Sequence, residues 1–287
     1  MDPVPVSLVV VTCQSAPVLD PLLESVAAAS AALGDTIFVD NASTDGTCEL
    51  IGRRLPGATI VANSENRGFA AAVNQGVDLA TAGRVLLANP DTAWTVADLR
   101  ALNAFLDTRP RAAAVCPRLI FPDGAPQASV RRFPTHANIW FSRHSPLRGV
   151  RLGAGSRAAY TLDDPADPQM VEAVAATFML LRRDAFHAVG GMDAGYFLYV
   201  EDTDLCKRWR DAGYEVWMDP RVAVRHHWQG GSRRDPTLRA HHRNGIRRYF
   251  RKHHPQRRLA NGLLFAALGL LDWKDRSTGT APARGRS

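Results

Sequence analysis

The stretch VSLVVVT at Val6–Thr12 decides the fold class. Its unbroken run of mostly β-branched, aliphatic residues is typical of a strand buried on both faces of a parallel sheet. The segments that follow alternate between helix and strand, and the predicted elements are a helix at 19–33, a strand at 36–39, a helix at 47–55, a strand at 58–62, a helix at 68–79 and a strand at 84–88. This alternation predicts an α/β protein with a mostly parallel, Rossmann-like sheet flanked by helices.

Polar clusters follow three of these predicted strands. They are Thr12-Cys13-Gln14, the loop 40–46 and Asn89-Pro90-Asp91-Thr92. In open α/β sheets, ligands bind beyond the carboxyl ends of the strands. We therefore expect the three clusters to form one ligand site.

The second half of the chain is less regular. Residues 122–170 are rich in Pro, Gly and Arg and predict a surface excursion such as a lid. The predicted elements after it are a buried strand at 171–182, a helix from Glu201 to about Ala212, short strands at 215–218 and 222–224, a basic helix at 241–254 and a disordered last dozen residues. On the helix, Asp204 and Arg208 are expected to pair across one turn.

Composition excludes several classes of protein. The chain has 287 residues, of which 46% are hydrophobic and 22% charged, which excludes a disordered chain, a collagen and a disulfide-stapled mini-protein. Its four cysteines form no CxxC pair, which favours free thiols in a reducing compartment. No secretory signal is visible, and the uncharged run from Leu259 to Leu271 is too short to span a bilayer.

Charge is concentrated at one end of the chain. Residues 221–287 hold 16 Lys or Arg and 3 Asp or Glu, a balance of +13, which leaves −6 for residues 1–220. A basic extension on an acidic body predicts a polyanionic partner: a phosphate-rich membrane surface, a lipid pyrophosphate or a nucleic acid. The nucleic-acid alternative would leave the acidic strand-end clusters unexplained, and no fold signature supports it, so no nucleic acid is expected.

Two carboxylates at strand ends are candidate ligand contacts. Asp91 follows a buried strand and could hold a divalent metal that bridges two phosphates, or could simply complete an Asn-Pro-Asp turn. Asp40 could accept the N3–H of a uracil or thymine ring, or could cap the next helix. Because Ser43 and Asp45 are also candidate caps, at least one of the three is available for another task.

Three further patterns carry possible chemistry. Arg67-Gly68 lies at a predicted helix start, where the guanidinium and the free backbone N–H groups favour binding of an anion. The alternative is that Arg67 is a solvated surface residue. The acidic run 201–204 either complements the helix dipole or supplies a general base. Its carboxylates are expected to raise one another's pKa because they carry like charges. In the pair His226-His227, at most one side chain is expected to face the site. It would complete the ligand shell of a Mn²⁺ or Mg²⁺ ion together with Asp91; the alternative is a purely structural histidine.

Motifs of other enzyme classes are missing from the sequence. There is no GxxxxGK[ST] loop, no GxSxG elbow and no GxGxxG after the first strand. A P-loop kinase, an α/β-hydrolase and a dinucleotide oxidoreductase therefore lack support.

In chain order, the motifs resemble those of family 2 glycosyltransferases over about residues 6–232. They are VVVT at 9–12, VDNASTDGT at 39–47, NRGFA at 66–70, NPD at 89–91, GGMD at 190–193, YFLYVEDTDL at 196–205 and the His226-His227 segment. Within that family the chain is most similar to bacterial rhamnosyltransferases of cell-wall and O-antigen assembly. The resemblance implies a GT-A domain at 1–232, with a nucleotide-sugar half at about 1–120 and an acceptor half at about 121–232, followed by a basic helical extension at 233–287.

The resemblance also implies a reaction and its residues. It implies inverting transfer, aided by Mg²⁺ or Mn²⁺, of a sugar to a lipid-linked saccharide in cell-envelope synthesis. The donor is expected to be dTDP-rhamnose, with a UDP- or GDP-sugar as the alternative, and a catalytically silent scaffold remains a second alternative. The implied roles are contact with the nucleotide sugar for Thr12, Asp40, Arg67, Asn89 and Asp91, metal binding for Asp91 and His226, and general base catalysis for Asp202 supported by Glu201.

The basic extension is predicted to sit on an anionic membrane surface, which would make the protein cytoplasmic and peripheral on the inner face of the cell membrane. The cations expected there are Arg243, Arg247, Arg248, Arg251, Lys252, Arg257 and Arg258, and the residues expected to dip into the interface are Leu263, Leu264, Phe265, Leu268, Leu270 and Leu271. The alternative is that this apolar stretch packs on the body or forms a dimer contact.

Overall fold

A computed structural model describes residues 5–140, 160–227 and 235–277 of the chain. The strands are β1 (Val6–Thr12), β2 (Leu33–Asn41), β3 (Thr59–Asn63), β4 (Arg84–Ala88), β5 (Thr92–Ala93), β6 (Ala112–Ile120), β7 (Pro126–Gln127), β8 (Val130–Arg131), β9 (Gln169–Val171), β10 (Ala173–Val174), β11 (Phe178–Arg182) and β12 (Glu215–His226). The α-helices are α1 (Asp20–Ala29), α2 (Thr47–Arg54), α3 (Phe69–Leu79), α4 (Val96–Asp107), α5 (His136–Trp140), α6 (Arg183–Ala188), α7 (Glu201–Asp211), α8 (Pro236–His253) and α9 (Arg258–Ser277).

One mostly parallel sheet forms the centre of the molecule. Its strand order is β3-β2-β1-β4-β11-β6-β12-β5, with β7 paired to β6 and β9 to β12. Strands β3, β2, β1 and β4 pair in parallel, β11 is antiparallel to both of its neighbours, and β12 is parallel to β6. The predicted α/β class with a mostly parallel sheet is confirmed.

Both faces of the sheet are buried, as the run of apolar residues in β1 predicts. Alternate residues of a strand point to opposite faces. Val9 packs in a core with residues of α3, whereas Leu8 and Val10 pack in a second core with residues of α1 and α4. Gly76 of α3 brings its helix close to the sheet, because a Cβ there would collide with the Val9 side chain.

The structure corrects several predicted boundaries. The first helix ends at Ala29 rather than residue 33, because Leu33 begins β2 and pairs with Val6. The predicted strand at 171–182 is three strands, of which β10 pairs with β8 in a separate small sheet. The two predicted strands at 215–218 and 222–224 are one strand, β12, whose register against β6 shifts between Asp219 and Ala223.

The irregular region at 122–170 contains short elements where it is described. These are β7, β8, α5 and the start of β9, while residues 141–159 lie outside the described ranges. The prediction of disorder for the last dozen residues concerns positions that are mostly outside the described chain.

The helices of the basic extension pack on the body. Ile246, Tyr249 and Phe250 of α8 and Leu264 and Leu268 of α9 form a third core, together with two residues that precede α7. Among the described residues, no helix combines the length and the hydrophobicity that crossing a bilayer requires.

Candidate active site

Strand pairing brings Asp91 and His226 together. The short strand β5 pairs antiparallel with the end of β12, so that Thr92 lies opposite His226. The backbone N–H of His227 donates to the carbonyl oxygen of Asp91 at 2.8 Å. As a result, Nε2 of His226 lies 3.2 Å from Oδ1 of Asp91, and both side chains are largely shielded from solvent.

Gln127 determines which nitrogen of His226 carries the proton. The Gln127 amide donates its N–H to the carbonyl oxygen of His226 at 2.7 Å, which turns its own oxygen towards the ring. That oxygen lies 2.7 Å from Nδ1 of His226, and an amide oxygen can only accept. Nδ1 therefore carries the proton, which leaves the lone pair of a neutral ring on Nε2, directed towards Asp91.

A lone pair that faces a carboxylate suits a shared cation. Adjacent ligands of an octahedral ion at about 2.1 Å lie about 3.0 Å apart, close to the 3.2 Å separation of Nε2 and Oδ1. A ring held by a hydrogen bond from its other nitrogen is the usual arrangement of a metal-binding histidine. Within the described residues, no cluster of three or more His, Cys, Asp or Glu side chains forms a metal site. Two protein ligands fit Mg²⁺ or Mn²⁺, because such ions commonly take further oxygens from substrate phosphates.

Thr12 and Asp40 lie side by side at the ends of β1 and β2. The Thr12 hydroxyl donates to Oδ1 of Asp40 at 2.7 Å, and both residues are buried. Ser43 adds two more donors, its hydroxyl to Oδ1 at 2.6 Å and its N–H to Oδ2 at 2.7 Å. The Cys48 thiol also hydrogen-bonds this carboxylate, so several donors fix its orientation. The helix-capping alternative is not realised, because Gly46 is the N-cap of α2; Asp45, just before it, accepts from the N–H of Thr47 at 3.1 Å.

The start of α3 differs from the simple anion site that the sequence predicts. Arg67 is exposed, but the first helical N–H, that of Phe69, donates to the carbonyl oxygen of Phe197 at 2.7 Å. Gly68 has φ +83°, and a Cβ there would lie 2.5 Å from the same oxygen. The residues just before α7 therefore contact the start of α3 directly. Asn89 lies at the end of β4, where its N–H donates to Thr177 at 2.8 Å.

Glu201 and Asp202 begin α7 after two strained residues. Tyr199 and Val200 have φ values of +71° and +75°, a region that β-branched residues rarely adopt. Such strain persists only where the surroundings enforce it, and it is common at functional sites. Helix α8 packs directly on this turn, because a Cβ at its Gly245 would be 2.7 Å from the Tyr199 carbonyl oxygen.

Arg131 holds the Asp202 carboxylate. Its Nη1 lies 2.9 Å from Oδ2 and 3.1 Å from Oδ1 of Asp202. The backbone N–H groups of Thr203 and Ala176 also donate to the carboxylate, at 2.7 and 3.3 Å. The Asp202 side chain is 9% exposed and that of Arg131 26%. The carboxylate is therefore fixed in orientation, and only a small part of it is open to solvent.

The pKa values of the other two acids of the run, Glu201 and Asp204, are shifted in opposite directions. Burial, together with the charge of Asp202, raises the pKa of Glu201 to about 8, and Oε2 of Glu201 is buried without a hydrogen-bond partner. Asp204 does not follow the prediction that neighbouring acids raise its pKa. Hydrogen bonds from His253, Lys252 and Arg208 outweigh its burial and hold the pKa of that carboxyl well below its usual range. The predicted pair is confirmed, with Arg208 Nε 2.7 Å from Asp204 Oδ2.

Sequence reasoning missed two of the groups that complete the site. Gln127 and Arg131 lie on β7 and β8, in the region that the sequence predicted to be a surface excursion. Neither belongs to a recognisable motif, since each acts through a partner about 70 to 100 residues away in the chain. The only signal in the sequence was that the segment QASVRR, at 127–132, contains apolar residues and is therefore not a purely polar loop.

The basic extension is more self-contained than its sequence suggests. Arg243 and Arg247 pair with Asp272 of α9, and Arg248 and Lys252 pair with Asp193. Of these four cations, predicted to meet a membrane, two therefore pair within the extension and two join it to the body. Leu264 and Leu268, predicted to dip into an interface, are instead buried in the third core.

Similarity to known proteins points to one family of enzymes. The family model for Glycosyl transferase family 2 matches residues 7–190. The chain is 33% identical over 252 residues to an N-acetylglucosaminyl-diphospho-decaprenol L-rhamnosyltransferase of Mycobacterium tuberculosis, covering 83% of this chain and 81% of the relative. It is also 29% identical over 147 residues to Rhamnosyltransferase WbbL of Escherichia coli, covering 50% and 52% of the two chains.

Solved structures share the fold at lower identity. A mannosyltransferase of Pyrobaculum calidifontis, in complex with GDP-Man and Mn²⁺, superposes with a TM-score of 0.59 at 17% identity, covering 98% of this chain and 77% of the other. GalNAc-T7 with UDP, GalNAc and Mn²⁺ superposes with a TM-score of 0.61 at 16% identity, covering 86% and 47%. The fold is thus that of GT-A glycosyltransferases.

Proposed function

The chain belongs to glycosyl transferase family 2, and on this basis we propose that it transfers L-rhamnose from dTDP-rhamnose to a hydroxyl of a lipid-linked saccharide in cell-envelope polysaccharide synthesis. Identity to a rhamnosyltransferase over 83% of the chain supports the sugar and the class of acceptor. The pairing of Asp91 with His226 beyond the sheet carries the assignment of an active enzyme, because a scaffold has no use for two side chains placed to hold a cation.

The donor would lie across the carboxyl ends of β1, β2 and β4. Asp40, held by the Thr12 hydroxyl, would accept the N3–H of thymine. Arg67 is exposed at the start of α3 and would reach the nucleotide part of the donor, and Asn89 would line the same edge. Asp91 and His226 would hold the divalent cation, which when bound would offset the negative charge that develops on the departing diphosphate.

Asp202 would act as the general base. Its carboxylate takes the proton of the acceptor hydroxyl while that oxygen attacks the anomeric carbon of rhamnose. The bond between the anomeric carbon and the phosphate oxygen breaks, and its electron pair leaves with the nucleoside diphosphate. Attack from the face opposite the leaving group inverts the configuration, and no covalent enzyme intermediate is needed. Arg131 keeps both oxygens of Asp202 in place during this transfer.

A lipid-linked acceptor would place the enzyme at the inner face of the cell membrane, in the cytoplasm where nucleotide sugars are made. We assign residues 1–232 to the catalytic domain and residues 233–287 to an extension that supports it. The contact of Gly245 with the strained residues before α7 supports this role, since it links the extension directly to the candidate base.

Calorimetry with a panel of dTDP-, UDP- and GDP-sugars, with and without Mg²⁺, tests the proposal. We expect metal-dependent binding with preference for dTDP-rhamnose. Tighter binding of a UDP- or GDP-sugar would keep the reaction class and overturn the donor. The Asp202→Asn variant separates an enzyme from a silent scaffold, because an enzyme loses turnover and keeps donor affinity.

A further inference from the structure

Helix α9 has two apolar faces, and only one of them is packed. Leu264 and Leu268 are buried in the third core, and Phe265 is partly buried against it. The opposite face is exposed: Leu259 is 88% exposed, Leu263 70%, Leu270 68% and Trp273 65%. A helix that only supported the fold would carry polar residues on that face.

The exposed residues form a continuous stripe. Residues 259, 263, 266, 270 and 273 are separated by four, three, four and three positions, the spacing of a single helix face. Ala266 completes the stripe between the leucines and is exposed as well. Contiguous exposed apolar surface of this kind marks a binding face, whereas scattered exposed leucines do not.

Charge on α9 is segregated between its two faces. Its acidic residues are Asp272 and Asp275, and both pair with arginines of α8 on the packed side. The exposed side therefore carries cations and no acid. These cations are Arg258, Lys274 and Arg276 on α9 itself, with Arg257 just before the helix.

We propose that this outer face of α9, the stripe of residues 259, 263, 266, 270 and 273 with its rim of cations, docks on an anionic lipid bilayer and lies in the plane of its interface. Leu and Trp side chains would enter the boundary between headgroups and acyl chains, while the arginines contact lipid phosphates. The choice of a lipid surface rests on the proposed lipid-linked acceptor. The proposed face retains Leu263, Leu270 and the cations Arg257 and Arg258 from the set that the sequence suggested, and leaves out residues that are buried or paired within the chain.

Charge disfavours a second copy of the chain as the occupant. Two copies of α9 that pair through this stripe in parallel would place Arg258 next to Arg258. In an antiparallel pair, Arg258 would meet Lys274 and Arg276. Each arrangement brings cations together, whereas an anionic bilayer complements them.

Vesicle flotation of the intact protein tests the inference. We expect the wild type to float with phosphatidylcholine vesicles that contain phosphatidylglycerol, and to float weakly with phosphatidylcholine alone. The Leu263→Glu/Leu270→Glu double variant should lose at least tenfold of this binding. Leu79→Glu/Met170→Glu is the matched control, because Leu79 and Met170 are 49% and 55% exposed elsewhere on the surface, and it should bind as the wild type does.

Two outcomes would overturn the inference. One is absent binding of the wild type to anionic vesicles, or binding that the double variant retains. The other is a wild-type dimer in sedimentation that the double variant dissociates, which would assign the stripe to a second copy. Binding of dTDP-rhamnose by both proteins without lipid is measured in parallel, so that a failure of the proposed donor is distinguished from a failure of the membrane face.

Discussion

A single guanidinium nitrogen of Arg131 lies 2.9 and 3.1 Å from the two carboxylate oxygens of Asp202. This contact joins β8 to the first turn of α7, across 71 residues of sequence. A base must point at the hydroxyl that it deprotonates, and misplacement by about 1 Å can cost about 100-fold in rate. Arg131 is therefore a positioning residue for the candidate base.

For Arg131→Met we expect kcat to fall about 10- to 100-fold, with the KM for the donor nearly unchanged, because Arg131 contacts Asp202 and none of the residues proposed to bind the donor. Arg131→Lys should recover part of the loss, since it keeps a cation beside Asp202. Steady-state kinetics with a soluble acceptor analogue measures both constants. Arg54→Met is the control, because Arg54 pairs with Asp20 on the surface. A KM effect without a kcat effect would refute the positioning role.

Removal of the Gln127 amide should weaken cation binding. Gln127→Leu frees Nδ1 of His226 from its hydrogen bond and allows the proton to move to Nε2, the nitrogen that would face the cation. Loss of such an outer partner costs about 10- to 100-fold in metal affinity. Calorimetry of Mn²⁺ in the presence of dTDP measures this affinity directly. His226→Ala should abolish it, while His227→Ala should leave it unchanged, and equal losses from the two histidines would contradict the assignment.

The stability of the fold should depend on the protonation of Glu201. Its pKa is raised from 4.5 to about 8 by burial and by Asp202. Between these values the unfolded chain loses the proton and the folded chain keeps it. The free energy of unfolding should therefore fall as pH rises from about 4.5 to about 8, by at most about 1.4 kcal/mol per pH unit.

Glu201→Gln should flatten this part of the pH profile. The variant should gain stability relative to the wild type at pH 8 and show little difference near pH 4.5. Urea denaturation at a series of pH values checks this. Parallel profiles for the two proteins would show that Glu201 is ionised in the fold.

The Asp204 carboxylate should behave in the opposite sense. Its pKa is lowered by His253, Lys252 and Arg208, so its contribution is present above the ordinary value of 3.8 and is lost as pH falls below it. At pH 7, Asp204→Asn should lower the free energy of unfolding by about 3–5 kcal/mol, because it removes the fully buried carboxylate that pairs with Arg208 and Lys252. Asp211→Asn, which removes a more exposed pair with Lys207, should cost no more than about 1 kcal/mol.

Gly245 should be required for turnover, although it is remote in sequence from the catalytic motifs. Gly245→Ala places a methyl group 2.7 Å from the Tyr199 carbonyl oxygen, and the strained turn before Glu201 must shift. We expect kcat to fall at least about tenfold. Gly269→Ala on α9 meets nothing within 4 Å and should instead stabilise its helix by about 1 kcal/mol. An unchanged kcat for Gly245→Ala would show that the turn does not need this contact.

Much of the nucleotide half of the fold was predictable from local patterns. The runs VSLVVVT and RVLLA are strands because they are apolar on both faces, and the chain around them alternates with helices. The polar residues that follow these strands had to meet at one edge, because parallel strands end on the same side of a sheet. The pair Asp204–Arg208 followed from helical spacing alone.

The acceptor half was less predictable, because its contacts join distant segments. The stretch 171–182 is mostly apolar, and nothing local indicates that β10 leaves the sheet to pair with β8. The partners of Asp202 and His226, which are Arg131 and Gln127, come from a segment with no periodicity. The basic residues of α8 were assigned to a membrane, since their partners Asp193 and Asp272 are 20 to 60 residues away.

By itself the sequence determined the α/β class, the family motifs and the residue types of the site, because strand burial, helix spacing and motif order are local properties of the chain. Only the tertiary structure decided which histidine meets Asp91, which cation holds Asp202, and which face of α9 stays exposed. These outcomes depend on strand register and on ion pairs between distant segments. Such contacts form only when the whole core is packed. The free energy that favours one strand register or one ion pair over another comes from many residues that lie far apart in the sequence.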